Sequence, residues 1–201
     1  MKTFCICLPE RPDQIEAAKK HFEKAGVENL EWIWGLDSNV SGLDTVHCYE
    51  VDAPGSGFKM GPKPTGIWLA HWTTWQVIMR STEEHVMVLE TDAKFEPGWK
   101  EKFEEALKIV PHNYDFLHIG HCCMEGFNDR KWIGGSVWES KRAQCSHAYV
   151  IRRAVIPFIL KTLRKVWAPV DIQIQMECFP SLKCYAVMPR LVSQHCTDLP
   201  P

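Results

Sequence analysis

The chain has 201 residues, of which 45% are hydrophobic, and its 23 basic and 25 acidic side chains give a formal charge of -2. A chain of this size buries one substantial core, so we expect a single domain over residues 1–201. The near balance of charge excludes the broad basic surface that nucleic acid or anionic lipid would require.

Three features bear on the compartment. The apolar run at the N-terminus is short and precedes charged residues, which predicts a first strand and no signal peptide. No run approaches the ~20 apolar residues of a membrane-spanning helix. The nine cysteines are odd in number and contain no CxxC pair, which favours reduced thiols in the cytoplasm.

His118, His121, Cys122 and Cys123 are close together in sequence, but no second ligand pair follows them, so zinc binding is the less favoured interpretation.

Strand and helix signals alternate along most of the chain. This pattern is typical of an α/β fold with a mostly parallel central sheet flanked by helices. Strands are predicted at 2–8, 30–34, 46–51, 86–89, 114–119, 148–151 and 183–187, and helices at 12–26, 65–80, 99–110, 153–167 and 172–179.

Two segments lack this periodicity. Residues 121–146 are rich in Gly, Trp and charge, which predicts an irregular active-site loop. Residues 189–201 are predicted to form an extended tail.

Two carboxylates, Glu90 and Asp92, follow the apolar strand at 86–89. Residues two apart in extended backbone point to the same side, so one site could receive both. Ligands of open α/β sheets bind outside the carboxyl ends of the strands, and paired hard oxygen donors suit Mg²⁺ or Mn²⁺ bridging to nucleotide phosphates. The alternative is a solvated acidic turn, and the spacing alone leaves both interpretations open.

Six segments, in order, resemble motifs of glycosyltransferase family 25, which includes lipooligosaccharide sugar transferases and procollagen galactosyltransferases. The segments are TGIWLAH at 65–71, VLETDA at 88–93, YDFLHIG at 114–120, AYVI at 148–151, PVD at 169–171 and PRLVSQ at 189–194. The resemblance implies a Rossmann-like GT-A domain, a DxD-type metal site and inverting chemistry. Thr91 stands where the family usually has aspartate, and Ala70 where it usually has serine.

The same resemblance implies a set of site residues. Those expected to bind the nucleotide sugar are Pro9, Arg11, Asp37, Gly66, His71, Glu90 and Asp92, and those expected to bind the metal are Asp92, Glu90 and His195.

For several of these residues a second interpretation stays open. Arg11 could pair with a phosphate or a base carbonyl through its planar guanidinium, or be an exposed residue at a helix start. Asp37 could hold a ribose hydroxyl or be a turn residue. His71 lies on a Trp-rich helical face, where a satisfied core histidine is the favoured alternative.

Asp171 is the candidate general base, because inverting transfer needs a carboxylate to remove the proton of the acceptor hydroxyl. Its alternative role is to cap the helix that follows the Pro-Val stop. Trp132 and Trp138 could stack on a sugar face or pack as ordinary hydrophobic side chains.

The resemblance, together with the carboxylate pair, therefore implies an inverting hexosyltransferase that depends on Mn²⁺ or Mg²⁺. The expected donor is a nucleoside-diphosphate sugar, a UDP-sugar first, and the expected acceptor is a hydroxyl on a glycan, a modified side chain or another polymer. One alternative is a weak or inactive relative that binds a nucleotide, a sugar or a protein, which Thr91 motivates. A nucleotidyltransferase is a further alternative, but no Gly-rich phosphate loop favours it.

Overall fold

The structure, a computed structural model, describes residues 1–9, 11–36, 61–122 and 130–194. The strands are β1 (Lys2–Cys7), β2 (Leu30–Trp34), β3 (His85–Glu90), β4 (Ala93–Phe95), β5 (Phe116–Cys122), β6 (Lys131–Gly134), β7 (Val137–Glu139), β8 (Gln144–Arg152), β9 (Cys184–Val187) and β10 (Val192–Gln194). The helices are α1 (Pro12–Ala25), α2 (Pro62–Ile78), α3 (Trp99–Ile109), α4 (Ile156–Thr162) and α5 (Val170–Glu177).

These strands form one sheet in the order β2-β1-β3-β8-β5-β9-β7-β6, with β10 pairing β4 and β5 beside this path. The α/β fold class is confirmed. The β2-β1-β3 part is parallel, whereas β8 runs antiparallel to both β3 and β5, so the sheet as a whole is mixed. Register pairs Leu89 with Ala148, and the residues that precede Ala148 therefore lie beside the carboxyl end of β3.

Helices cover both faces of the central strands. Val86 and Val88 of β3 join a core cluster with α2, α4 and α5, and Met87 and Leu89 join a second cluster with α1 and α3. Successive side chains of a strand point to opposite faces, so a continuous apolar run is what a strand covered on both faces requires. The central position predicted for this run is confirmed.

Helix α1 follows its local sequence signals. Pro12 lies in its first turn, and Ile15, Ala18 and Phe22 are buried along one face. Gly26 ends the helix with a φ of 71°, a left-handed conformation that glycine adopts without a Cβ clash.

Several predicted boundaries are corrected. Residues 131–139 form the β6–β7 hairpin, so the segment 121–146 is not irregular throughout, and Val192–Gln194 of the predicted tail form β10. The helix predicted over 153–167 ends at Thr162, because Leu163, Val166 and Ala168 are buried in irregular backbone and packing overrides helical periodicity there. The strand predicted at 46–51 lies outside the described residues.

Within the described ranges, none of the helices combines the length and apolarity that crossing a bilayer would need.

Candidate active site

A cleft of about 260 Å³ lies at the carboxyl end of β3. It brings together the starts of α2, β8 and α5 with the end of β10. Its lining residues are Lys63, Pro64, Ile67, Glu90, Cys145, Ser146, Pro169, Val170, Asp171 and Gln194. Two carboxylates that are far apart in sequence, Glu90 and Asp171, thus face one cleft.

Glu90 is oriented by hydrogen bonds from the protein interior. Its Oε1 accepts from Ser146 Oγ at 2.8 Å and lies 3.1 Å from His71 Nε2. The other ring nitrogen of His71 lies 3.0 Å from the Tyr149 hydroxyl, which accepts from Trp75 Nε1 at 2.9 Å. Because Trp75 donates to that oxygen, the Tyr149 proton is free to go to His71 Nδ1, and His71 Nε2–H then donates to Glu90.

These contacts change the protonation of Glu90. Burial by itself raises the pKa of this carboxyl, but the electrostatic interaction with His71, which includes its hydrogen bond, and the hydrogen bond from Ser146 outweigh burial, so the pKa lies below its ordinary value. Glu90 is therefore held as a carboxylate at the cleft.

Asp92 lies in a different environment two residues on. Its Oδ2 accepts from Gln194 Nε2 at 2.8 Å, while its Oδ1 is buried and has no hydrogen-bond partner among the described residues. Burial, followed by repulsion from Glu90, raises the pKa of Asp92 from 3.8 to about 6. The two carboxylates are thus close enough to repel each other, which is the arrangement that attracts a cation.

Asp92 faces a second cleft, of about 310 Å³, between the start of α1 and the β3–β4 turn. Arg11 and Thr91 also line it. Arg11 precedes α1, is partly exposed and lies 3.7 Å from Asp13. Gln194 lines the cleft of Glu90 and donates to Asp92 of this second cleft, so one hydrogen bond links the linings of the two clefts.

Asp171 lies in the first turn of α5, but Pro169 occupies the cap position and no side chain caps this helix. The Oδ2 of Asp171 instead accepts from the backbone N–H of Cys145 at 3.0 Å. Cys145 has a φ of 70°, a left-handed conformation that is uncommon for a residue with a side chain. The capping interpretation of Asp171 is therefore wrong, and its carboxylate is held at the cleft by β8.

The other predicted nucleotide-binding residues take various positions. Pro9 is exposed in the turn after β1, and Gly66 is buried within α2. His71 is fully buried behind Glu90, so it has no surface for the predicted direct contact with a nucleotide sugar. It acts instead by orienting Glu90. Asp37 and His195 lie outside the described residues.

The two predicted stacking residues lie on the β6–β7 hairpin, where they are cross-strand neighbours. Trp132 is 60% exposed and donates to the Gly135 carbonyl at 3.0 Å, and the Arg130 guanidinium lies 5.7 Å from the Trp138 ring. Neither tryptophan lines the cleft of Glu90 and Asp171, because four strand steps separate β7 from β3. Stacking on a sugar bound at those carboxylates is therefore not what this geometry provides.

The cysteines depart from the sequence-based expectation. A disulfide joins Cys122 and Cys145, whereas all thiols were expected to be reduced; Cys5, Cys7, Cys178 and Cys184 are free and buried. The crowded histidines do not converge with Cys122 either. His118 packs against Phe116 and Phe179, and His121 Nε2 lies 3.0 Å from the Val187 carbonyl.

Sequence reasoning missed four residues of the cleft: Lys63, Pro64, Cys145 and Ser146. Nothing in their local pattern marks them, because register with β3 and packing of α2 bring them to the site. Gln194 was found only as part of the PRLVSQ segment, and the structure adds its hydrogen bond to Asp92.

The chain was compared with known proteins. No family model matches it. It is 25% identical over 141 residues to a glycosyltransferase 25 family member of Aedes aegypti. This alignment covers 66% of the present chain and 23% of that protein. The chain is 26% identical over 130 residues to a human protein named inactive glycosyltransferase 25 family member 3, which covers 59% of this chain and 21% of that protein. The chain thus spans about a quarter of the length of these relatives.

The fold also has a counterpart among solved structures. A glycosyltransferase involved in glycosylation of the major capsid of PBCV-1 superposes with a TM-score of 0.52 at 9% identity, covering 99% of this chain and 95% of that one. This likeness shows a shared fold. Together with the curated relatives, it confirms the resemblance that the six ordered segments predicted: the chain is similar to the glycosyltransferase 25 family.

Proposed function

We propose that this protein is an inverting glycosyltransferase that moves a sugar from a nucleoside-diphosphate sugar to an acceptor hydroxyl. The observation that carries the proposal is the single cleft faced by Glu90 and Asp171, beside an Asp92 carboxylate with an unpartnered buried oxygen. A transfer site needs a carboxylate that takes the proton of the incoming hydroxyl and positive charge that stabilises the departing diphosphate. Asp171 would supply the first, and a cation held by Glu90 and Asp92 would supply the second.

The carboxylate pair fits a divalent cation. Asp92 Oδ1 is buried without a partner among the described residues, and burial, followed by repulsion from Glu90, raises the pKa of Asp92. Carboxylate oxygens suit Mn²⁺ or Mg²⁺, so Glu90 and Asp92 would hold the ion, with His195 as the proposed third ligand. When bound, the ion would stabilise the charge of the nucleoside diphosphate as it leaves.

The second cleft supports a place for the nucleotide. Arg11 and Asp92 line it together, so a diphosphate held near Asp92 lies within the same cleft as a guanidinium. Arginine pairs with phosphate through two parallel hydrogen bonds. The diphosphate of the donor would therefore lie in the cleft lined by Arg11, with the sugar directed toward Glu90. A UDP-sugar is the first donor to test.

Asp171 is the proposed general base. Because Cys145 N–H donates to its Oδ2, the carboxylate has a fixed orientation at the cleft. In the transfer, the acceptor oxygen forms a bond to the anomeric carbon as the bond to the diphosphate breaks, and Asp171 takes the hydroxyl proton. Attack from the face opposite the leaving group inverts the anomeric configuration.

The test is release of nucleoside diphosphate from a panel of sugar nucleotides, with Mn²⁺ or with a chelator. We expect Mn²⁺-dependent turnover, which Asp171→Asn lowers ~100- to 10,000-fold in kcat with little change in KM for the donor. Asp92→Ala should abolish the metal-dependent part. Glu105→Gln, at an exposed carboxylate of α3, is the matched control and should retain full activity.

Two results would overturn parts of this assignment. Full turnover by a folded Asp171→Asn protein would remove Asp171 as the base. A product with the same anomeric configuration as the donor, read by proton NMR, would replace inversion by retention.

A binding module is the second candidate. Thr91 stands at the middle position of the acidic motif, and one relative is named as inactive. Calorimetry separates the two functions, since binding of a nucleoside diphosphate without turnover of any donor in the panel would favour the module.

A further inference from the structure

Cys122, Cys145 and His147 lie together where β5 ends and β8 begins, at the edge of the Glu90 cleft. One ligand atom from each residue lies within 4.8 Å of the others. The two cysteines are half-buried and His147 is fully buried. The structure pairs the two sulfurs as a disulfide, and the dithiol form of the same site presents two thiols and one imidazole.

His147 is arranged as a ligand. Its Nε2 lies 3.2 Å from the Val192 carbonyl oxygen, which can only accept, so Nε2 carries the ring proton and Nδ1 keeps a lone pair. Nδ1 is buried and has no hydrogen-bond partner among the described residues. Metal-binding histidines have this arrangement, in which one nitrogen donates to a backbone carbonyl and the other is free to bind the ion.

Gly120 makes room for this ring. A Cβ on Gly120 would lie 2.3 Å from His147 Nε2 and 2.9 Å from the Val192 carbonyl oxygen, both shorter than real contacts. Only glycine therefore lets the imidazole lie against β5 with its Nε2 at Val192. Gly120 of β5 thus fixes the orientation of the His147 ring and, with it, the position of the unpartnered Nδ1.

We propose that the reduced protein binds one Zn²⁺ through the sulfurs of Cys122 and Cys145 and through His147 Nδ1. Thiolate and imidazole ligands favour zinc over Mg²⁺ or Mn²⁺, so this site is distinct from the carboxylate pair at Glu90 and Asp92. Cys145 lines the cleft, which gives the ion an entry path and leaves a fourth position for water.

The chemistry balances with an external thiol reductant. Two reductant thiols give two electrons and two protons to the disulfide, which yields two cysteine thiols and one reductant disulfide. Zinc then displaces one proton from each thiol as the two thiolates bind it. Because Cys145 N–H also holds Asp171, the ion would fix the backbone that positions this carboxylate.

The test is titration of the full-length chain with Co²⁺ as a spectroscopic substitute for Zn²⁺, after reduction and removal of the reductant under anaerobic conditions. We expect about one Co²⁺ per chain, with the near-ultraviolet charge-transfer band of thiolate–cobalt bonds and its loss on addition of Zn²⁺. The oxidised native protein should show no band, and this comparison needs no variant.

Variants locate the ion. Cys145→Ser and His147→Gln should weaken Co²⁺ binding at least ~10-fold, while Cys178→Ser, at a free buried cysteine elsewhere in the core, should bind normally. The double variant Glu90→Gln/Asp92→Asn should retain the band, because carboxylates give none. Absence of the band in reduced native protein, or its survival at full strength in Cys145→Ser, would overturn the proposal whatever the outcome of the transferase assay.

Discussion

Buried carboxylates have opposite surroundings at the two ends of the central strands, which form two opposite edges of the sheet. At the amino end of β5, Asp115 is 5% exposed, accepts from Arg152 Nη2 at 2.5 Å and accepts from Lys183 N–H at 2.9 Å. At the carboxyl end of β3, Glu90 and Asp92 repel each other, and Asp92 keeps one oxygen without a partner among the described residues. The Asp115 carboxylate is thus paired with a guanidinium of the fold, whereas a divalent cation is the proposed partner of Glu90 and Asp92.

This difference distinguishes a carboxylate that stabilises the fold from carboxylates that are available to bind a ligand. Asp115 ties β5, β8 and β9 together, since its own carbonyl also accepts from Arg152 N–H at 2.9 Å. Glu90 and Asp92 are held by Ser146, His71 and Gln194, which orient the carboxylates and leave their negative charge directed to the clefts. Substitutions should therefore affect stability at the first edge and ligand binding at the second.

The largest expected effect is at the structural edge. Asp115→Ala should lower the free energy of unfolding by about 3–5 kcal/mol, because it leaves the partly buried Arg152 guanidinium uncompensated. Urea unfolding measures this loss. Glu105→Ala, at an exposed position, should change stability by less than about 0.5 kcal/mol, and a similarly small effect at Asp115 would remove the distinction between the edges.

A divalent cation should complete the other edge. In oxidised protein, where the thiols of Cys122 and Cys145 are consumed, Mn²⁺ at 100 times its Kd should stabilise the fold by about 2.7 kcal/mol. Asp92→Asn should lose this gain. Thermal unfolding with and without Mn²⁺ provides the measurement, and equal stabilisation of Asp92→Asn would place the ion elsewhere.

The raised pKa of Asp92 predicts a pH dependence with a definite sign. Between the ordinary value of 3.8 and the folded value of about 6, the folded protein holds a proton that the unfolded chain releases. This contribution to stability is fully present below the lower value and is lost as the pH rises through about 6.

Relative to Asp92→Asn, the native protein should therefore lose about 2 kcal/mol across that window, a figure reduced for the partial exposure of the carboxyl. Urea unfolding at several pH values without divalent ions tests this. Parallel stability curves for the two proteins would contradict the raised pKa.

The smallest effect is expected at Ser146. Ser146→Ala removes the hydroxyl that donates to Glu90 Oε1 at 2.8 Å, so the pKa of Glu90 should rise toward its ordinary value and stability should fall by about 1 kcal/mol. NMR titration of the Glu90 carboxyl follows the pKa. Ser193→Ala, which removes an exposed bond to the Lys94 carbonyl, is the matched control and should leave that pKa unchanged.

Local sequence signals were sufficient for most elements. The apolar run of β3, the stripe of α1 and the order of the motifs predict the fold class, because each depends on periodicity within one segment. The direction of β8 was not predictable, since a buried strand has the same apolar run whether it is parallel or antiparallel. The β6–β7 hairpin was missed because its strands, of four and three residues, are too short to show a clear alternation of apolar and polar side chains.

The residues of the site divide in the same way, into those that the sequence indicated and those that only tertiary structure brings together. Glu90, Asp92 and Asp171 were selected because their positions after a strand and after a sharp stop coincide with segments that resemble family motifs, whereas the spacing alone left their role open. That Glu90 and Asp92 line different clefts depends on tertiary packing, and the meeting of Cys145 with Cys122 depends on register between β5 and β8. His71 was weighed as a core residue or a ligand contact, and the structure makes it a buried residue that orients Glu90.

The bond between Gln194 and Asp92 also has a consequence for the order of events during synthesis. Its partners are 102 positions apart, and β10 pairs with β4 only after nearly all the described chain has been made. A ribosome-bound chain that lacks β10 can form β1, β2 and β3 but leaves Asp92 Oδ2 without its hydrogen bond from Gln194. Asp92 therefore reaches its final orientation only late in translation, after β10 has paired with β4.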